Sequence, residues 1–311
     1  MLPKFLSIKI YNNLRKFKLS FEVFFQAIGY TLRCFYISTK GQLPKYEILQ
    51  LSHRLEKGML MENPKPFWGW EKAYRLAYLI QINDDEFSNK TGKGVLKAYI
   101  DIKKGSRITK EKEQAISFER SNPSINNENT IGGKISLKKA DVLISQKDVI
   151  EHFFYSKHSC REFQNTIVSK DDILSSISLA LRCPSACNRQ MTHCYVYQSK
   201  EYQTIIITSN IRAFEVSEFN DWLISPSIFA GYLSLSLHLY GIGSCIYRKQ
   251  IWGHHPYNEE MKMKCKIPND EIIVLELRFG YYKDTFNVAV SNRHSANDIV
   301  SFVGEKFKKI K

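Results

Sequence analysis

The sequence lacks the short motifs that identify several large enzyme classes. It has no G-x-S-x-G, no H-E-x-x-H and no P-loop lysine motif, so nothing in it supports a hydrolase. No zinc-finger or RNA-recognition module is recognisable, and there is no internal repeat. The function therefore has to be inferred from charge, from the spacing of apolar residues and from other motifs.

Acidic residues are scarce relative to basic ones, and the number of cysteines is odd. There are 31 Asp and Glu against 45 Lys and Arg, a net charge of +14 that favours anionic partners such as nucleotides, nucleic acid or a phospholipid surface. Seven cysteines, with no secretory leader before them, indicate a reducing cytoplasm. Hydrophobic residues at 43% indicate a folded, soluble protein, and 311 residues suffice for two units.

The N-terminal segment is basic and amphipathic. Residues 1–45 contain eight basic residues and one acid, Glu22, and large apolar residues recur at helical spacing from Phe21 to Phe35. The uncharged part of this helix is shorter than the roughly 20 residues of a membrane span. We therefore expect it either to pack on its own domain or dimer mate, or to make peripheral contact with a membrane surface.

The chain divides at a polar segment. Apolar stripes from Ile48 to Met59 and from Trp70 to Ile80 predict helices, and shorter helical stretches follow at 95–104 and 110–120. The stretch SNPSINNENTIGGK, residues 121–134, is typical of an exposed linker. We expect a helical extension over 1–120, a linker over 121–136 and a second domain over 137–311.

The second domain mixes helices with strands. A helix is expected over 142–154, another after the candidate cap Ser169 with Asp172, and a long one from Pro226, capped by Ser225, to just before Gly241. Three apolar runs predict buried strands: CYVY at 194–197, TIIIT at 204–208 and EIIVLEL at 271–277. This alternation predicts an α+β or α/β sandwich.

Two motifs in this domain carry candidate binding groups. In KHSCREF, an extended backbone would present Lys157, Ser159 and Arg161 on one side, where they could hold a phosphate; the alternative is an ordinary solvated edge strand. In CPSACNRQ, Asn188 and Gln190 supply amide groups suited to the rim of a flat heteroaromatic ring; the alternative is an ordinary helix-ending turn. Cys183, Cys187, His193 and Cys194 have poor spacing for zinc, and no metal site is expected.

KHSCREF followed about twenty residues later by PSACNRQ resembles the paired signature of the nitroreductase family, written R-x-S-x-R-x-F and P-S-x-x-N-x-Q. GIGSC at 241–245, IPNDEIIVLELRFGYY at 267–282 and SNRHSANDIV at 291–300 resemble later landmarks of that family. HRLEKGM at 53–59 resembles the helical extension of a subgroup associated with surface polysaccharide loci. The resemblance implies a nitroreductase-like α+β sandwich behind an N-terminal helical extension.

The resemblance also implies a cofactor and a set of residues that bind it. FMN would pass electrons from NAD(P)H to a small organic acceptor in a homodimer, and no side chain would act as a nucleophile. Lys157, Ser159, Arg161 and Arg293 would hold the phosphate and ribityl groups. The flavin ring would be contacted across the dimer interface by the PSACNRQ loop. The full set of expected cofactor-binding residues is Lys157, His158, Ser159, Arg161, Pro184, Ser185, Ala186, Asn188, Gln190, Gly243, Ser244 and Arg293.

The sequence departs from the family in places that bear on the flavin pocket. The segment 198–221 is short, and Ser225, Pro226 and Ser227 stand where the subgroup tends to have an acid followed by glycines. A second hypothesis is therefore a nitroreductase-fold protein without turnover, serving as a binding or scaffold protein in surface polysaccharide biosynthesis. A nucleic-acid binder would explain the charge but not the paired signature, and nucleic acid is not an expected partner.

Overall fold

The computed structural model describes most of the chain. The described residues are 40–61, 68–102, 132–142, 145–215, 220–247, 256–291 and 293–303, with scattered residues between 14 and 37, residues 113 and 116–117, and Glu218. The predicted linker over 121–136 and the predicted helical stretch over 110–120 lie mostly outside them. The proposed division into domains at that segment stays a prediction.

The N-terminal third is helical, as predicted. Helices α1 (Pro44–Met59), α2 (Trp70–Ile82) and α3 (Glu86–Ile102) pack together. Their apolar stripes meet in a hydrophobic core of their own, in which Ile48, Leu55, Leu76 and Leu96 are fully buried. Burial of such a side chain contributes about 1.5–3 kcal/mol, so the contacts between helices stabilise this part more than helix propensity does.

The described residues between 14 and 37 are also helical. The segment after them is tied to the second domain: Leu43 N–H donates to Arg212 O at 3.1 Å, and Gln42 Nε2 donates to Ala213 O at 2.9 Å. Ile37 belongs to the core of that domain. The N-terminal helix is thereby anchored at its C-terminal end.

The second domain contains a four-stranded antiparallel sheet in the order β1, β2, β4, β3. The strands are β1 (Thr192–Gln198), β2 (Gln203–Asn210), β3 (Ile242–Tyr247) and β4 (Glu271–Tyr281). The three predicted strands are confirmed as β1, β2 and β4, but the predicted burial is wrong for β1, which lies at the edge of the sheet and is only partly buried. Every residue of β2 is buried, as the β-branched run TIIIT predicts for a central strand covered on both faces.

The longer helices of this domain are α4 (Lys147–Ser156), α5 (Lys170–Ala180), α6 (Asp221–Leu239) and α7 (Pro256–Cys265). The predicted cap of α5 is confirmed, since Ser169 Oγ accepts from Asp172 N–H at 3.0 Å. A capping box would also have the Asp172 carboxylate accept from Ser169 N–H. That second bond is absent, because the carboxylate accepts from Tyr281 Oη at 2.5 Å. The α+β class with a helical N-terminal part is confirmed.

The predicted start of α6 is wrong. The helix begins at Asp221, and Pro226 lies inside it rather than at its first position. Trp222 is buried in the core at 4% exposure, so its packing extends the helix backwards past the proline. Ser225 is no cap: its hydroxyl is buried and accepts from Ala186 N–H at 3.1 Å. By length and composition α6 also passes as a membrane span, although half of its apolar window is buried, as in a core helix.

A candidate anion site at the sheet edge

The KHSCREF segment is bound along the edge of the sheet. Ser159 forms a bridge with Ser244 on β3, and Phe163 forms one with Tyr282 just beyond β4. Cys160 N–H donates to Ser244 O at 3.0 Å. Cys160 is fully buried while Ser159 and Arg161 on either side are exposed, the alternation expected of an extended strand.

Gly243 makes this close approach possible. A Cβ atom placed on it would lie 2.9 Å from Cys160 Cβ and 2.9 Å from a ring carbon of Tyr282, which is too short for any side chain without movement of the backbone. Ser244 is fully buried, and its hydroxyl is 2.9 Å from that of Ser234 on α6. The structure thus places Lys157, His158, Ser159, Arg161, Gly243 and Ser244 in one neighbourhood.

This neighbourhood is positively charged. Lys157 directly follows the last residue of α4 and is half-buried, and burial lowers the pKa of its ammonium group. His238 on α6 lies between Ser156 Oγ at 3.0 Å and Tyr282 Oη at 2.9 Å. Burial, followed by the charge of Lys157, lowers the pKa of His238, with smaller contributions from His158 and His152. An anion bound beside Lys157 would offset the effect of its charge on His238.

Next to it lies a cavity of about 350 Å³ with Arg161 in its wall. Three further cations line it, Lys200, Arg278 and Lys283, together with the carboxylates of Glu162 and Glu201. The Arg278 guanidinium lies between the rings of Tyr202 and Tyr247, at 5.3 and 5.1 Å from their centroids. A volume of this size with convergent cations and aromatic rings suits part of a phosphorylated aromatic ligand.

Sequence reasoning missed several of these residues. Lys200, Tyr247, Arg278, Lys283 and His238 were not expected at the site. The sequence did offer one indication for Arg278: it is the one arginine in an otherwise apolar and acidic strand sequence. Its Nε donates to Glu276 Oε1 at 3.2 Å, and Glu276 is buried at 3% exposure. The remaining residues are brought in only by the pairing of distant segments.

The PSACNRQ loop lies elsewhere, against the other end of α6. Cys187, Asn188 and Gln190 all have positive φ, at 49°, 53° and 51°, a conformation that non-glycine residues rarely adopt. Gln190 N–H donates to Ser185 Oγ at 3.2 Å and holds the loop in this shape. Pro184, Asn188 and Gln190 are exposed, while Ser185 and Ala186 are half-buried. Strain of this kind concentrates at functional sites.

The two motifs are therefore apart within one chain. The loop contacts Ser225, whereas Ser244, the bridge partner of Ser159, contacts Ser234, and Ser156, just before the KHSCREF segment, contacts His238. Positions 234 and 238 are about 14 and 20 Å from position 225 along a helix that rises about 1.5 Å per residue. Arg293 is exposed in the C-terminal segment and donates to Ser291 O; the contacts of the described residues do not bring it to Lys157. The predicted roles of all twelve residues stay predictions.

Together these features describe an α+β protein with a cationic site at one edge of its sheet. We call this site the cradle; it consists of Lys157, His158, Ser159, Arg161, Gly243 and Ser244. Residues 155–226 match the model of the nitroreductase family, the segment that carries both motifs. This match confirms the resemblance to that family, with its nitroreductase-like fold, and supports an oxidoreductase function. No curated protein matches the chain.

Solved structures similar to this chain include three nitroreductases. The FMN-dependent nitroreductase of Clostridium difficile R20291 is 18% identical over 49% of this chain and 98% of its own, with a TM-score of 0.41. A nitroreductase with bound FMN from Desulfitobacterium hafniense DCB-2 is 15% identical over 50% and 97%, with a TM-score of 0.40. A putative nitroreductase of Bacillus subtilis is 14% identical over 51% and 100%, with a TM-score of 0.45.

Proposed function

We propose that this chain is an FMN-dependent oxidoreductase of nitroreductase type, which passes electrons from NAD(P)H to a small organic acceptor. The observation that carries the proposal is the cationic cradle at the sheet edge, formed by the family's first motif. Lys157, Ser159 and Arg161 stand at alternating positions of the segment that pairs with β3 through Ser159 and Ser244, beside the closely packed Gly243.

The donor set fits FMN. A phosphate dianion is best held by a guanidinium, an ammonium group and a hydroxyl, which Arg161, Lys157 and Ser159 provide. Bound FMN would supply the electron transfer, and the protein would supply binding, orientation and exclusion of water. Burial and then the charge of Lys157 lower the pKa of His238. A bound anion would offset the charge of Lys157, so His238 would hold a proton more tightly. None of these side chains needs to act as a nucleophile.

FMN binding is the first prediction. Protein freed of small molecules should bind FMN more tightly than riboflavin, because riboflavin lacks the phosphate that the cations would hold. FMN at about a hundredfold its Kd should stabilise the fold by about 2.7 kcal/mol. Flavin fluorescence and thermal unfolding measure the two effects. If excess FMN changes neither the fluorescence nor the unfolding temperature, the oxidoreductase proposal fails.

The second prediction is a homodimer, which the proposed flavin site requires. The PSACNRQ loop is too far from the cradle for the predicted ring contacts in one chain, and a partner subunit would bring its own copy of the loop. The solvent-facing side of α6 supports this arrangement, since Ile224, Ile228 and Tyr232 are 51%, 38% and 43% exposed. Light scattering should return twice the 36.3 kDa of one chain. A single-chain mass with FMN bound would contradict the dimer.

The scaffold hypothesis is favoured by one observation. Ala186 belongs to the expected cofactor-binding set, but its N–H already donates to Ser225 Oγ at 3.1 Å. Ser225 belongs to the segment that departs from the subgroup pattern, so the loop could be built for stability rather than for a flavin. A cytoplasmic binding protein of surface polysaccharide biosynthesis would then be the function, and absence of FMN binding would distinguish it.

A further inference from the structure

The N-terminal helix carries a continuous strip of exposed apolar side chains. Leu14, Phe17, Phe21, Phe24, Phe25, Ile28 and Leu32 are between 39% and 67% exposed. At about 100° per residue they share an arc of roughly 120°, so they form one stripe along the helix. Neighbouring rings touch, with centroids 5.6 Å apart for Phe17 and Phe21 and 5.1 Å apart for Phe21 and Phe25.

This stripe is not buried by the rest of the described chain, although its helix is attached to it. Ile37, at the end of the helix, is 6% exposed and belongs to the core of the second domain. Arg212 Nε donates to Gly41 O at 3.2 Å, which fixes the segment immediately after the helix. The sequence alone left open whether the stripe packs on its own domain. In the structure it faces outward, so an external surface would have to cover it.

Charge distinguishes between the surfaces that could cover it. Residues 1–45 hold eight basic residues and only Glu22 as an acid. A second copy would bring an equal excess of positive charge against the first, which opposes pairing. An anionic phospholipid surface offers both apolar chains for the phenylalanines and negative headgroups for the lysines and arginines.

We propose that the N-terminal helix docks on an anionic phospholipid membrane, lying in its surface with the phenylalanine stripe inserted. It does not span the bilayer, because only residues 23–32 separate Glu22 from Arg33. The membrane contact is independent of flavin binding, since the helix and the cradle share no residue.

Flotation of the full chain with vesicles tests this proposal. The protein should float with vesicles of phosphatidylcholine mixed with phosphatidylserine and much less with phosphatidylcholine alone, and added salt should release it. Phe21→Ser combined with Phe25→Ser should lower partitioning by more than about tenfold, because two aromatic rings no longer enter the membrane. The matched control is Phe87→Ser with Ile102→Ser, which changes side chains that are 56% and 51% exposed on α3. It should leave partitioning unchanged.

Circular dichroism checks that both double variants remain folded, and the salt dependence of the unmodified protein tests the proposal without any variant. Failure to float with either kind of vesicle would overturn it. Equal binding to neutral and anionic vesicles would overturn the anionic surface as the partner. If the phenylalanine variant leaves flotation unchanged but halves the mass by light scattering, the stripe is covered by a second copy instead.

Discussion

Glu218→Gln should lower the free energy of unfolding by about 3–5 kcal/mol, the typical cost of leaving a buried charge without its partner. Arg189 is fully buried, and its Nη2 is 2.8 Å from Glu218 Oε1. Among the described residues its Nε and Nη1 have no hydrogen-bond partner. Glu218 therefore supplies the charge that compensates this guanidinium. Urea unfolding of the variant and the parent measures the difference.

The chain offers a matched control for this prediction. Arg75 Nε is also 2.8 Å from a carboxylate, Glu47 Oε1, but the two side chains are 50% and 23% exposed. Exposed pairs contribute about 0–1 kcal/mol, so Glu47→Gln should cost little. Equal losses for the two variants would show that burial does not set the strength of the Arg189 pair.

Arg161→Ala should weaken FMN binding by about one to two orders of magnitude while the protein stays folded. A charged hydrogen bond contributes roughly 1.5–3 kcal/mol, and a guanidinium can hold a phosphate through two such bonds. Arg161 is exposed at the cavity wall, so its removal should not disturb the core. Titration with FMN, followed by flavin fluorescence, gives the ratio of dissociation constants.

Riboflavin and a second arginine make this test specific. Riboflavin binding should be nearly unchanged in Arg161→Ala, because the lost contact is to the phosphate. Arg75→Ala, which removes a surface guanidinium on α2, should bind FMN like the parent. If Arg161→Ala weakens riboflavin and FMN equally, Arg161 contacts the ring instead of the phosphate. If it weakens neither, the phosphate lies elsewhere.

Local sequence patterns predicted most elements of the fold but not their ends. The runs 194–197, 204–208 and 271–277 all lie in strands, because β-branched and apolar residues suit buried strands. Strand β3 was not predicted, since Gly243 and Ser244 weaken its pattern. The start of α6 was misplaced because packing of Trp222 outweighed the usual position of a proline.

The candidate site could be predicted only in part. KHSCREF and GIGSC were expected to contribute to one cofactor site, and the structure pairs Ser159 with Ser244. Arg278 and Tyr247 could not be found from local spacing, because only the pairing of β3 with β4 brings them into the cavity that Arg161 also lines. The contact of the PSACNRQ loop with Ser225 likewise depends on where α6 begins.

The pairing of the KHSCREF segment has a consequence for the order of events during synthesis. Gln164 donates to Tyr282 O at 2.7 Å, a contact between residues 118 positions apart. Closing so long a loop is slow compared with forming helices, whose contacts are local. The cradle cannot exist on a nascent chain until β4 has left the ribosome. We therefore expect α1–α3 to fold first, and any ligand of the cradle to bind a nearly complete polypeptide.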